Sequence, residues 1–116
     1  MPFLTANPMH IQINTDNHIK GSLELSDLAM TQVGSALIHL SDHITRVEVH
    51  LSDENSHKGG SRDKRCVMEA RLERHQPIAV TDEAETIEMA IGGAADKLKR
   101  AVEHTIGKLH AEHPQR

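Results

Sequence analysis

The sequence predicts an α+β fold with the element order β-α-β-β-β-α, four strands in one mixed sheet and two helices packed on one face. Three observations carry that expectation. Apolar residues recur at steps of three and four through Ile87, Ile91, Ala94, Leu98, Val102, Thr105 (by its methyl) and Leu109, the spacing of a single helix face. Between Lys64 and Glu73 they alternate instead. Cys66, Met68, Ala70 and Leu72 take one face, and Arg65, Val67, Glu69, Arg71 and Glu73 the other, as in an antiparallel strand covered on one side. A second helical pattern, through Leu25, Leu28, Ala29, Val33, Ala36, Leu37 and Leu40, lies between two alternating stretches. That opening implies a right-handed β-α-β crossover and a parallel strand pair.

Each element has a local reason. Residues 1–9 read as a loose lead-in, because Pro2 and Pro8 oppose regular structure. His10 to Asn14 alternates around Ile11 and Ile13, a short first strand, and Thr15 to Gly21 is a turn-rich connection. Ser22 is placed to cap the first helix, Gly34 weakens it, and Ser41-Asp42 closes it. Ile44 to Leu51 alternates again, but the phase breaks between Ile44 and Val47, so the strand proper is expected from Arg46. Asp53 to Asp63, with Gly59-Gly60, is a polar hairpin loop before the strand at Lys64. Gln76-Pro77 connects to a last short strand, Ile78 to Val80. Asp82 then caps the final helix, with Glu85 three residues on completing a capping box. Folded structure is expected over residues 10–110 as one domain, with 111–116 a frayed tail.

Composition narrows the function. The chain has 116 residues, 37% hydrophobic and 26% charged, within the globular range. Its 13 basic and 17 acidic residues give a formal charge of −4, so attraction to a polyanion has to come from local asymmetry. That asymmetry exists. From Thr15 to Glu54 only Lys20 and Arg46 oppose seven carboxylates, whereas from His57 to Gln76 six cations oppose Asp63, Glu69 and Glu73. Phe3 is the one Phe, Tyr or Trp in the chain, so the folded part lacks the large rings on which bases usually stack. RNA would be held by phosphate, sugar and shape contacts. One cysteine, no secretory signal and no apolar run of membrane-spanning length lead to the expectation of a soluble, cytoplasmic protein without membrane contact.

The final helix has three longitudinal faces. Lys97, Arg100, His104 and Lys108 share an arc of about 80° beside the apolar stripe. Glu85, Glu88, Asp96 and Glu103 fall on the far side with only Lys99 among them. Side chains four apart are stabilised by mixing signs, so the segregation reads either as a directional surface or as a solvated helix segregated by chance. Sheet-side Arg65 and Arg71 point away from the helices and offer a second basic contact.

No catalytic constellation assembles. The ten histidines form no HExxH pattern, join no cysteine cluster and share no ligand spacing with carboxylates, so no metal site is expected. Cys66 lies on the apolar phase of its strand, as a small hydrophobe does. Gly59-Gly60 and Gly92-Gly93 match no phosphate loop. Within the last helix, Gly93 sits near the basic arc, where either a close-passing backbone or packing against the other helix would require it. The expectation is a non-enzymatic binding protein with no catalytic residue, cofactor, small-molecule substrate or DNA partner.

The chain resembles short ribosome hibernation promoting factors, a family that includes sigma-factor modulation and ribosome-associated inhibitor proteins. The likeness covers His10 to Leu109. It is carried by Ile11-Gln12-Ile13, by Ser41-Asp42-His43-Ile44-Thr45-Arg46-Val47, and most by Ala90-Ile91 followed by Asp96-Lys97-Leu98, Arg100 and Lys108-Leu109. The resemblance implies a sheet with two helices on one side, similar to a double-stranded-RNA-binding domain. It implies a translation inhibitor bound in the decoding region of the small ribosomal subunit, on 16S rRNA, with the ribosome idle but protected. It places basic contacts at Lys97, Arg100 and Lys108. This chain departs from the family pattern in having Glu88 where an aromatic is usual and no lysine or arginine from Leu23 to Leu40. The C-terminal module of long members, which dimerises ribosomes, is not expected. Another class of function also suits the segregated helix: a protein-interaction module using that helix and a sheet edge.

Overall fold

A computed structural model of the chain describes residues 9–16, 19, 22–53 and 63–112. The expected lead-in through residue 8, the Ser22 side chain, the Gly59-Gly60 loop and residues 113–116 lie outside the described residues. The elements are β1 (His10–Thr15), α1 (Ser22–Leu37), a 3₁₀ segment (Ile38–His43), β2 (Ile44–Asp53), β3 (Lys64–Leu72), β4 (Ile78–Ala84) and α2 (Ile87–Glu112). The strands form one sheet in the order β1-β2-β3-β4. β1 runs parallel to β2, and the other neighbours are antiparallel. This is the β-α-β-β-β-α fold expected from the sequence.

Three local expectations are corrected. The α1 helix ends at Leu37, and Ser41-Asp42 lie inside the 3₁₀ segment, where Ser41 Oγ donates to the Ile38 carbonyl at 3.1 Å. No glycine follows Leu37 to turn the chain out, and tightening to i→i+3 bonds satisfies carbonyls at the helix end. At its start, β2 includes Ile44, because the register with β3 shifts between Ile44 and Arg46. The irregularity inserts one residue, so Ile44 and Val47 both reach the core at 1% and 0% exposure despite their odd spacing. Finally, Asp82 is no helix cap. β4 runs on to Ala84, Asp82 lies in it opposite Cys66, and Thr86 Oγ1 accepts the Met89 N–H at 3.1 Å to cap α2.

The core lies between the sheet and the two helices. Val47, Val49, Leu51, Cys66, Met68 and Ala70 face it from the sheet, and Ala29, Val33 and Leu37 from α1. On α2 the buried row is Ala90, Ala94, Leu98, Val102 and Ile106, joined by Ile87, Ile91 and Ala95. That row advances by i+4 and winds slowly around the helix, as a ridge does when a helix crosses its support at an angle. Thr105 and Leu109, read as stripe residues, are therefore only partly buried.

Candidate nucleic-acid interface

The four residues of the basic arc, Lys97, Arg100, His104 and Lys108, are all exposed on α2. Their surroundings change along the helix. Nearest the amino end, Lys97 Nζ lies 2.9 Å from Asp82 Oδ1 and donates to the Thr81 carbonyl at 2.8 Å. Asp82 reaches this point because its strand phase turns it toward the helices and because Gly93 leaves room. A Cβ added at Gly93 would lie 2.6 Å from Asp82 Cγ. Gly93 thus answers to a strand carboxylate, and neither of the reasons offered from sequence applies. One turn beyond Lys97, Arg100 Nη1 meets Asp96 Oδ2 at 2.7 Å, an exposed i,i+4 pair, so Asp96, expected on the far side, borders the basic arc instead, being only about 40° from Arg100 on the wheel.

Farther along, His104 and Lys108 meet no carboxylate among the side chains that are described, which on this helix end at Leu109. With Thr105 and Leu109 they line a depression of about 330 Å³ that His75 completes from the β3–β4 turn. That turn is formed with Arg74 at φ 61°, a left-handed conformation uncommon outside glycine. His75 Nδ1 lies 2.7 Å from the Gln76 carbonyl, which can only accept, so Nδ1 carries a proton. An adjoining depression shares Leu109 but contains Asp42 and Glu73. The sequence did not single out His75, because the turn and the end of α2 come together only in the folded chain.

The two sheet arginines do not join this surface. Arg65 and Arg71 sit on the open face of the sheet, opposite the helices. Arg65 donates to Glu83 from Nε at 3.1 Å and from Nη2 at 2.8 Å, while Arg71 Nη2 lies 3.7 Å from Glu69. Arg46 on β2 bonds to Glu48 at 2.9 Å and to Gln12. Each of the three guanidinium groups has a glutamate beside it, and two of them, Arg65 and Arg71, belong to the cation-rich stretch read between His57 and Gln76. Behind the arc, burial pushes the Cys66 thiol up to about 12, with the Asp82 charge adding to the effect. Among the described residues no cluster of three or more His, Cys, Asp or Glu side chains could hold a metal. Among them, no helix is long and apolar enough to cross a membrane.

The model of the sigma 54 modulation protein / S30EA ribosomal protein family matches residues 11–110. The chain belongs to that family. It is a non-enzymatic family, and this member is a binding protein rather than an enzyme. Solved structures agree in fold. The N-terminal domain of Thermus thermophilus Protein Y is 17% identical, with a TM-score of 0.65 over 84% of this chain and 98% of that one. A ribosomal subunit interface protein from Coxiella burnetii is 16% identical, with a TM-score of 0.67 over 85% of this chain and 99% of that one. No curated protein matches the chain significantly in sequence.

Proposed function

We propose that the protein associates with the ribosome in the cytoplasm and inhibits translation by occupying the decoding region of the small subunit. Contacts to 16S rRNA phosphates hold it there. The observation that carries this reading is the exposed row Arg100, His104 and Lys108 on a rigid helix, in a chain of the S30EA family. From Lys97 to Lys108 the arc spans about 16 Å at 1.5 Å per residue, a length that suits several phosphates along a groove. Lys97 contributes from a fixed position, since its ammonium is already held by Asp82 and the Thr81 carbonyl. Arg65 and Arg71 would serve only a second contact, on the other side of the molecule.

A protein-binding reading has its own support on α1. Leu23, Met30 and Ile38 are 83%, 46% and 59% exposed at or just beyond this helix, which has no basic side chain. Phosphate binding weakens steeply as salt rises, whereas docking of apolar surface does so far less. The decisive experiment is co-sedimentation with ribosomal subunits over a salt series. Arg100→Glu with Lys108→Glu should abolish association and restore translation in vitro, while Glu85→Lys with Glu103→Lys leaves binding equal or stronger. Unimpaired binding by the first pair, or equal loss from both pairs, would defeat the reading. Lys97 is left out of that test because a glutamate there would face Asp82 and disturb the fold.

A further inference from the structure

Four large apolar side chains are exposed among the described residues, and three of them, Leu23, Met30 and Ile38, lie on α1 or just past its end. With Asp27 and Gly34 they recur at steps of four, three, four and four residues. At 100° per residue, Leu23, Asp27, Met30 and Gly34 share an arc of about 60°, beside the buried row Ala29, Val33 and Leu37. Such a row, here about 22 Å long from Leu23 to Ile38, is a seam along which a second helix packs. Gly34 sharpens it. Glycine is disfavoured inside a helix, and among the described residues nothing lies within 4 Å of a Cβ added there. Unlike Gly93, then, Gly34 answers to nothing packed against it within the chain. What its missing side chain supplies is a notch between Met30 and Ile38, where a partner can approach the backbone closely. The charge of α1 has one sign. Its only charged residues are Glu24 and Asp27, both exposed, and Asp42 follows in the 3₁₀ segment. Carboxylates along the row repel nucleic-acid phosphates and anionic lipid. Two copies of α1 laid together would bring carboxylates against carboxylates, with no lysine or arginine of either helix to answer them. A helix with an apolar row and basic flanks suits both the seam and its charge.

We propose that α1 docks a basic amphipathic helix of a protein partner. Apolar side chains of that helix cover Leu23, Met30 and Ile38, one of them settles over Gly34, and its lysines or arginines lie beside Glu24 and Asp27. This docking rests on the protein-binding reading of α1 and is independent of the phosphate contacts assigned to α2.

The probe is a fluorescein-labelled peptide of about 18 residues, leucine and lysine at helical spacing, long enough to span the row. Its anisotropy is followed as the full chain is added, and a scrambled peptide of the same composition, with no apolar face, is the control. Saturable binding is expected for the patterned peptide and far weaker binding for the scrambled one. Leu23→Gln with Met30→Gln should weaken it about tenfold or more, the scale for exposing apolar side chains again. Gly34→Gln, which fills the notch, should also weaken it, yet melt at or above the wild-type temperature. Glu24→Gln with Asp27→Gln should weaken it and flatten its salt dependence, while the same charge change on α2, Glu85→Gln with Glu103→Gln, leaves it unaltered. Equal binding of the two peptides, equal loss from the two charge pairs, or affinity indifferent to Leu23 and Met30 would overturn the docking. So would a dimer of the free chain in analytical ultracentrifugation that Met30→Gln dissociates, since a second copy would then cover the row. Binding of a leucine–glutamate peptide of the same pattern in place of the lysine one would overturn the basic partner and keep α1 as a protein-binding face. No ribosome is present, so failure here leaves the ribosome reading standing, and failure to co-sediment leaves the docking standing.

Discussion

Replacing Gly93 by alanine should destabilise the protein, whereas replacing its neighbour Gly92 should stabilise it. Both lie inside α2, where alanine is favoured over glycine by about 1 kcal/mol. Around Gly92 nothing lies within 4 Å of an added Cβ, so the gain is undiluted. For a domain of this size that is a rise in melting temperature of about 4–6 °C. Around Gly93 the new methyl would lie 2.6 Å from Asp82 Cγ and 3.0 Å from Oδ1, distances at which something has to move. Displacing the carboxylate breaks its contact with the half-exposed Lys97, up to about 1 kcal/mol. Asp82, with its side chain 19% exposed, is also left poorly solvated or poorly paired, at about 1–3 kcal/mol. Subtracting the helix gain leaves a net loss of up to about 3 kcal/mol, so the two variants should differ by about 1–4 kcal/mol. Urea and thermal unfolding followed by circular dichroism measure both. Adding Asp82→Ala to Gly93→Ala removes the obstruction and should recover much of the gain seen at Gly92. A Gly93→Ala variant that melts at or above the Gly92→Ala temperature would refute the packing argument.

Two further outcomes follow from the core. Leu98→Asp puts a carboxylate at a fully buried position and should cost several kcal/mol, enough to lower the melting temperature sharply or prevent folding; an unchanged melt would mean that the buried face of α2 is misassigned. The Cys66 thiol, held near 12 against an ordinary 9.0, should resist alkylation at pH 9 in the native protein and react once urea unfolds it. The neutral thiol is the native form, so its contribution to stability is complete below pH 9.0 and is lost as pH rises toward about 12. A native thiol that reacts as fast as the unfolded one would contradict its burial.

The parts of the fold that were legible in the sequence are those where one residue type repeats with one period. Cys66, Met68, Ala70 and Leu72 fixed β3, and Leu98 and Val102 fixed the inner side of α2. What misled was chemistry that looks alike in two settings. Asp82 and Glu85 three apart resemble a capping box, but Val80, Asp82 and Ala84 continue the alternation of β4, and a carboxylate on its inner phase is tolerated only because Gly93 and Lys97 accommodate it. That accommodation involves residues 11 and 15 positions away, and no local pattern reports it. The broken phase at Ile44 was visible, but its meaning as an irregular register needed the partner strand. On the surface, the basic arc was legible as a wheel position, whereas the pairing of Lys97 with a strand carboxylate, Asp82, shows only in the folded chain.

The same small assembly at Asp82 has a consequence for self-association. β4 is an outer strand, and a bare outer strand is a template onto which a foreign strand can add. Here an incoming strand would have to displace the Lys97 ammonium from the Thr81 carbonyl before it could use that acceptor. It would also have to seal the inward carboxylate of Asp82 away from water, which a growing stack of strands does not tolerate. One ion pair therefore acts as a stopper at the margin of the sheet, discouraging copies of the chain from zipping together when many are present at once.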